Sequence, residues 1–183
     1  MDLKKIENSF KDILVAINED VNREGLIETP KRIALSYQEF FSGVNVDPKS
    51  ALIKTIDATS KDYVIEKNID FYSMCEHHFL PFFGTVDIAY IPNEKIIGFG
   101  HLIEALNILA KRPQLQERLG TELADAIYSA LKCEGVMVII KAKHLCMTMR
   151  GSKKENSEII TVSCRGVFEN DSVRRMEIIN LLK

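Results

Sequence analysis

Two short segments carry the side chains of this chain that are best suited to metal or proton chemistry. The first, "SMCEHHFLPFFG", places Cys75, His77 and His78 in front of an apolar run. Because Cys75 and His78 are three residues apart, one tight turn can direct a sulfur and an imidazole nitrogen at the same ion. A small buried cysteine followed by two loop histidines would show the same pattern, so this segment alone leaves both interpretations open.

The second segment, "KHLCMTMRG", favours the metal site. His144 and Cys146 follow a β-branched run and are two residues apart, a spacing that sends both side chains of a strand to one face. Cys75, His78 and Cys146 would suit a catalytic zinc, which commonly has three protein ligands and an open position, whereas a structural zinc would add His77 or His144 as a fourth ligand. Spare imidazoles that titrate near neutrality serve proton transfer, which favours a hydrolase.

The periodicity of the first half predicts two helices. Apolar residues recur at intervals of three and four from Leu3 to Val21, with Gly25 just beyond the predicted end. A second helix is expected from "ETPKRIALSYQEFF", with Thr29 as the N-cap and Pro30 at the first helical position.

From Tyr63 onwards the hydrophobic pattern changes to the alternation of strands, and the predicted order is helices, hairpin, helices, hairpin and a last helix. Strands are expected at "GTVDIAYIP", "GVMVIIKAK" and "EIITVSCRGVF". A helical stretch that restarts near Pro113 separates the first two, and Asp171 opens a last helix. This order predicts an α+β fold with an antiparallel sheet and helices on one face.

Composition excludes several classes of protein. With 183 residues, 46% apolar composition and a net charge of -2, the chain predicts one buried domain and gives no sign of a nucleic-acid or membrane partner. No signal peptide or membrane span is expected, so the predicted location is cytoplasmic. In that compartment the four cysteines are expected as thiols or metal ligands, with Cys133 and Cys164 in structural positions.

Four motifs together resemble the GTP cyclohydrolase I family. They are "SMCEHHFLPFFG", "RPQLQERL", "HLCMTMRG" and "RGVF", and their order and spacing match the family from "ETPKRIA" to the end of the chain. The resemblance implies the tunnelling fold, in which subunit sheets join side by side into a barrel, and a homodecamer of two stacked pentamers. It also implies one domain over 1–183, with an N-terminal helical extension at 1–44 and a tunnelling-fold core at 62–183.

The resemblance assigns roles to individual residues. It implies zinc ligands at Cys75, His78 and Cys146, and catalytic histidines at His77 and His144. A guanine-reading carboxylate is implied at Glu117, where an ionised side chain can accept from the paired donors of the guanine edge. The implied reaction is attack of water at C8 of GTP, opening of the imidazole ring, release of formate and closure to 7,8-dihydroneopterin triphosphate.

The chain departs from the family at the residues that hold the triphosphate. Arg32 and Arg150 match the family, whereas Leu35 stands where the family usually has a lysine. In "GFGHLIE", three residues replace the usual serine, lysine and arginine; they are Gly100, His101 and Glu104. His101 and Glu104 suit hydroxyl groups better than phosphate.

These departures leave three hypotheses for function. The first is a GTP cyclohydrolase I with a remodelled phosphate site. The second is a divergent zinc hydrolase that opens a guanine nucleoside or base, because a triphosphate would bind poorly without its cations. The third is an inactive metal-binding homologue, which retention of both His77 and His144 disfavours.

Overall fold

A computed structural model describes residues 1–183, which pack into two compact units, Met1–Ser42 and Gly43–Lys183. The predicted bounds of the extension and the core remain predictions. The helices are α1 (Leu3–Ala16), α2 (Thr29–Phe40), α3 (Phe99–Ala110), α4 (Gln116–Leu131), α5 (Leu145–Thr148), α6 (Val167–Asn170) and α7 (Ser172–Leu181), with a 3-10 helix at Pro48–Leu52. The strands are β1 (Thr55–Asp57), β2 (Val64–Cys75), β3 (Pro81–Ile91), β4 (Lys95–Ile97), β5 (Pro113–Gln114), β6 (Gly135–His144) and β7 (Ile159–Gly166).

The first unit is a pair of helices joined by aromatic contacts. Tyr37 of α2 packs edge-on against Phe10 of α1, with ring centroids 5.4 Å apart. Helix α1 ends before the predicted Val21, because Asn18 takes a positive φ and the chain leaves the helix there. Thr29 is the first residue of α2 and not its N-cap; its hydroxyl donates to the carbonyl of Gly25.

The second unit contains a five-stranded sheet in the order β5-β2-β3-β6-β7 and a two-stranded sheet of β1 and β4. The pairs β2-β3, β3-β6 and β6-β7 are antiparallel, as the sequence predicts. The two-residue strand β5 is parallel to the end of β2 and places Gln114 beside Cys75. The restart predicted at Pro113 therefore takes the form of a short strand between α3 and α4.

The main core lies between the sheet and helices α3 and α4. Leu102, Leu106, Leu119, Leu123 and Ile127 of these helices are fully buried against strand residues of one sheet face. This arrangement confirms the predicted α+β fold with an antiparallel sheet and its long helices on one face.

The opposite face of the sheet is covered only in part. Ala89, Ile91, Met137 and Ile139 pack there with Phe168 of α6 and Ile178 of α7. Farther along β7, Ile160 and Val162 are exposed. The short C-terminal helices thus lie on the other face from α3 and α4, a placement that the sequence pattern did not predict.

Strands β3 and β6 approach each other closely near the end that carries the cysteines and histidines. A Cβ at Gly84 would lie 1.9 Å from the carbonyl oxygen of Lys141, so only glycine fits the backbone at this position. No helix of the structure has both the length and the apolar character required to cross a bilayer.

Candidate metal centre and the histidines beside it

Cys75 is the last residue of β2, and the turn after it brings His78 back towards it. Cys75 is buried, and its N–H donates to the carbonyl of Leu80 at 2.9 Å while its own carbonyl accepts from the N–H of Phe79 at 2.8 Å. Phe79 has a positive φ, which reverses the chain. The predicted tight turn is therefore present, held by backbone hydrogen bonds at both of its ends.

Cys146 completes a three-residue cluster from the turn that follows β6. Strand β6 ends at His144, and the single turn of α5 carries Cys146. The expectation that a strand spacing sends His144 and Cys146 to one face is therefore wrong, because the chain turns into a helix between them. One ligand atom each from Cys75, His78 and Cys146 lies within 4.8 Å of the others. Neither His77 nor His144 belongs to this cluster, so its composition is that of the three-ligand alternative.

The donor set fits zinc. Around a tetrahedral zinc with bonds of about 2.0–2.3 Å, ligand atoms are separated by roughly 3.3–3.9 Å, a spacing that these side chains can reach with small movements. Two sulfurs and one imidazole also match the preference of zinc for S and N ligands. Burial raises the pKa of the Cys146 thiol, the nearby Cys75 adds to that rise, and Arg150 opposes it. Metal binding must therefore displace a proton that this thiol holds more tightly than an ordinary cysteine does.

His144 lies beside the cluster in a defined environment. Its ring stacks on Phe82, its cross-strand partner on β3, with centroids 4.7 Å apart and planes 8° from parallel. Its Nε2 lies 2.8 Å from Oε1 of Gln116, the first residue of α4. Burial lowers the pKa of His144, and the negative charge of Glu117 partly opposes this.

The other predicted site residues differ in how close they lie to the cluster. His77 is exposed in the turn between Cys75 and His78, with its ring centroid 6.2 Å from that of His78. Glu117 is exposed in the first turn of α4 and close enough to act on the pKa of His144. Arg150 is exposed just after α5 and acts on the pKa of Cys146.

His101 and Glu104 of α3 are not joined to the cluster. His101 and Glu104 share one face of α3, where Nδ1 of His101 lies 3.9 Å from a carboxylate oxygen of Glu104. Within this chain, neither has a hydrogen bond or ion pair to a cluster residue. Arg32 lies on α2 in the first compact unit.

A network that sequence reasoning missed connects the turn from Cys75 to His78, called the metal turn below, to α4. Arg118 forms an ion pair with Glu76, the residue after Cys75, and its Nε donates to Oε1 of Gln114 at 2.7 Å. The amide of Gln114 in turn donates to Glu122 at 3.1 Å, and the N–H of Glu76 donates to the carbonyl of Gln114 at 3.0 Å. The four-residue spacing of Gln114, Arg118 and Glu122 was the available signal. It gave no sign that Glu76 joins them.

An antiparallel sheet in an α+β fold, with a Cys–His–Cys cluster at one end and a half-buried histidine beside it, is the arrangement of a metal-dependent enzyme. The family model for GTP cyclohydrolase I matches residues 6–183. Proteins named GTP cyclohydrolase 1 from Fusobacterium nucleatum and Finegoldia magna are 56% and 50% identical over all of this chain and cover 98% and 99% of their own lengths. One from Clostridium perfringens is 48% identical with the same full coverage of this chain. The chain belongs to the GTP cyclohydrolase I family, which confirms the resemblance and, with it, the tunnelling fold.

Proposed function

We propose that the chain hydrolyses GTP, opens the imidazole ring at C8, releases formate and yields 7,8-dihydroneopterin triphosphate. The observation that supports this most strongly is the convergence of Cys75, His78 and Cys146 at one point, with His144 and Glu117 beside them. The relatives that bear the name GTP cyclohydrolase 1 match the chain over its whole length.

Zinc is the metal that we propose for the cluster. Cys75, His78 and Cys146 would hold it, and the three-ligand set leaves a position open. Zinc bound in this way supplies a Lewis acid that activates water at neutral pH. The protein's part is to keep both thiols within reach of the ion and to bring proton carriers beside it.

The histidines serve proton transfer in this proposal. His144 is held by Phe82 and Gln116, so its ring can accept the proton that the attacking water releases and donate it to N7 of the purine as the ring saturates at C8. His77, exposed in the metal turn, serves the ribose side as the C8–N9 bond opens. A second hydrolysis then cleaves the bond between C8 and N7 and releases C8 as formate.

Glu117 reads the guanine in this proposal. Its carboxylate is exposed and close to His144, and it can accept from N1–H and the 2-amino group together. Because a carboxylate pairs with two donors, loss of either donor from the substrate leaves it poorly satisfied, which gives specificity for guanine.

Substrate phosphates and hydroxyls are assigned to the remaining residues. Arg150 and Arg32 supply positive charge for the triphosphate. His101 and Glu104, which share a helix face, are proposed to contact ribose hydroxyls in place of phosphate.

We also propose a homo-oligomer, the decamer of two pentamers that the family resemblance implies. Strand β7 is at the edge of the sheet, and Ile160 and Val162 on it are exposed, which suits pairing with the sheet of a second copy. The four unpaired cysteines support a reducing, cytoplasmic setting. Light scattering at several protein concentrations tests the assembly.

The substrate is tested by measuring formate release from GTP, GMP, guanosine and guanine at equal concentration, while pterin absorbance and fluorescence are followed in parallel. The proposal expects formate from GTP together with a pterin. Turnover of only guanosine or guanine would replace GTP with an uncharged substrate. Turnover of none of them by the zinc-loaded protein would make the chain an inactive homologue.

A further inference from the structure

Gln116 is a buried polar side chain with a contact to a proposed catalytic histidine. It is the first residue of α4 and is 1% exposed, whereas its neighbour Glu117 faces solvent. Sequence reasoning gave Gln116 no role. Its side chain contacts both β6 and β7 and reaches His144 with one atom. Its other hydrogen bonds determine whether that atom is a donor or an acceptor towards the imidazole ring.

The partners of Gln116 fix which end of its amide is nitrogen. One end lies 3.1 Å from the carbonyl oxygen of Ile140, 3.0 Å from that of Ile159 and 3.2 Å from the hydroxyl of Thr161. Two of these partners are backbone carbonyls, which only accept, so this end must be the NH₂ group. The other end, 2.8 Å from Nε2 of His144, is therefore the amide oxygen, which only accepts.

The same logic fixes the hydrogen on His144. A ring nitrogen that meets an acceptor-only oxygen at 2.8 Å must carry the hydrogen, so Nε2–H donates to Gln116. In a neutral imidazole the other nitrogen, Nδ1, then has the lone pair. The stacked ring of Phe82 restrains the plane of the imidazole, so both its tautomer and its orientation are set by protein contacts.

We propose that Gln116 is a positioning residue for the reaction: it holds His144 as the Nε2–H tautomer and leaves Nδ1 as the ring nitrogen that meets the purine. The role of His144 towards the purine rests on the proposed function, whereas the tautomer rests on hydrogen bonds alone. A merely structural Gln116 would join α4 to β6 and β7 through its NH₂ group and would have no effect on the histidine ring.

The tautomer can be measured directly without substrate. The zinc-loaded protein, labelled with ¹⁵N-histidine, gives ring signals from only four histidines, and a His144→Gln variant identifies those of His144. Above the ordinary imidazole pKa of about 6.5, we expect the ¹⁵N shifts and ring-proton couplings of an Nε2–H imidazole. The pattern of an Nδ1–H imidazole would overturn the inference.

Variants connect the tautomer to catalysis. Gln116→Met removes the acceptor while keeping a side chain of similar length, and we expect a mixture of tautomers and a kcat for GTP reduced roughly 10- to 100-fold, with KM nearly unchanged. Thr161→Val is the matched control, because it removes one partner of the same NH₂ group but leaves the two carbonyls and the contact to His144. Its kcat and its tautomer should stay close to those of the parent chain.

Two kinetic results would contradict the role of Gln116. These are an equal loss of kcat in Thr161→Val, and a rise in KM alone in Gln116→Met. If Gln116→Met does not fold, Gln116→Asn keeps a buried amide but withdraws it by one methylene, and it should show the same loss of kcat. Because the ¹⁵N measurement involves no turnover, an Nδ1–H pattern overturns this inference, whereas absence of GTP hydrolysis by the parent chain overturns the proposed function.

Discussion

Replacing Arg118 with methionine tests whether the network around the metal turn serves zinc binding. Arg118 pairs with Glu76, donates to the fully buried Gln114 at 2.7 Å and donates to the carbonyl of Pro113 at 3.3 Å. Methionine keeps most of the aliphatic packing but removes every one of these hydrogen bonds. Glu76 then loses the cation that holds the residue next to Cys75.

The expected cost follows from these contacts. A hydrogen bond between a charged and a neutral group contributes about 1.5–3 kcal/mol, and Gln114 keeps one other donor, the N–H of Leu115 at 3.0 Å, which favours the lower part of that range. The ion pair with Glu76 is partly open to solvent and adds roughly 0.5–1 kcal/mol. A loss of about 2–3 kcal/mol in unfolding free energy corresponds to a fall of about 4–12 °C in Tm for a chain of this size.

The functional effect is separate from the loss of stability. Loosening the turn should weaken zinc binding by roughly 10-fold, within the range usual for residues that support metal ligands. Zinc affinity is measured by competition with a chromophoric chelator, and Tm by calorimetry at one fixed protein concentration. Arg165→Met is the matched control, because Arg165 makes a similar two-bond ion pair with Asp125 at 2.6 and 3.1 Å, outside the cluster.

Arg165→Met should lower Tm and leave zinc affinity unchanged. If Arg118→Met also lowers Tm but binds zinc as tightly as the parent chain does, the network does not support zinc binding and is only a part of the scaffold.

Three further predictions concern the site and its surroundings. Zinc affinity should fall as pH is lowered, and the fall should begin at a higher pH than for an ordinary thiol, because burial raises the pKa of Cys146. Chelator competition from pH 6 to 9 measures this affinity on both sides of the usual thiol pKa of about 8.5. Phe82→Leu should destabilise the fold by about 1–2 kcal/mol and broaden the ¹⁵N ring signals of His144, since it removes a fully buried ring that stacks on the imidazole. Cys133→Ala should leave zinc stoichiometry at that of the parent chain, because burial that raises the pKa of Cys133 to about 11 keeps its thiol protonated within the core.

Each of these three predictions has an outcome that would contradict it. A zinc affinity that does not change over this pH range would mean that no thiol proton is released on binding. Unaltered His144 signals in Phe82→Leu would show that the stacked ring does not restrain the imidazole. Loss of zinc from Cys133→Ala would place that cysteine in the metal site, against its position in the main core.

The sequence predicted the metal cluster because local geometry determines much of it. A turn fixes the relation of Cys75 to His78, and the two-residue separation of His144 and Cys146 keeps both near the end of β6, although Cys146 lies in α5 and not on the strand. The sheet is needed only to bring the segment of Cys75 and His78 close to the segment of His144 and Cys146. Because both segments stand at the ends of predicted strands, the sequence already indicated that they could come together. Strand β6 was also predicted from a local signal, because a run rich in β-branched residues favours a strand.

Other features depended on long-range contacts that no local pattern records. The two-residue strand β5 exists because the chain runs beside the end of β2, and two residues show no periodicity. The ion pair between Glu76 and Arg118 joins residues 42 positions apart. Helix α1 stops early because Asn18 takes a left-handed conformation. The apolar spacing continues as far as Val21, so the sequence gave no sign of this earlier end. Residues such as Gln116 look like ordinary helix residues until their buried partners are known.

Removal and restoration of zinc tests whether a metal held by Cys75, His78 and Cys146 is required for hydrolysis of GTP. The protein is stripped with a chelator, its zinc content is determined, and formate release from GTP is measured as zinc is added back. We expect no formate from the stripped protein and full recovery at one zinc per chain, with no recovery in Cys146→Ala at the same zinc concentration. Formate release by the stripped protein, or full recovery in Cys146→Ala, would contradict it.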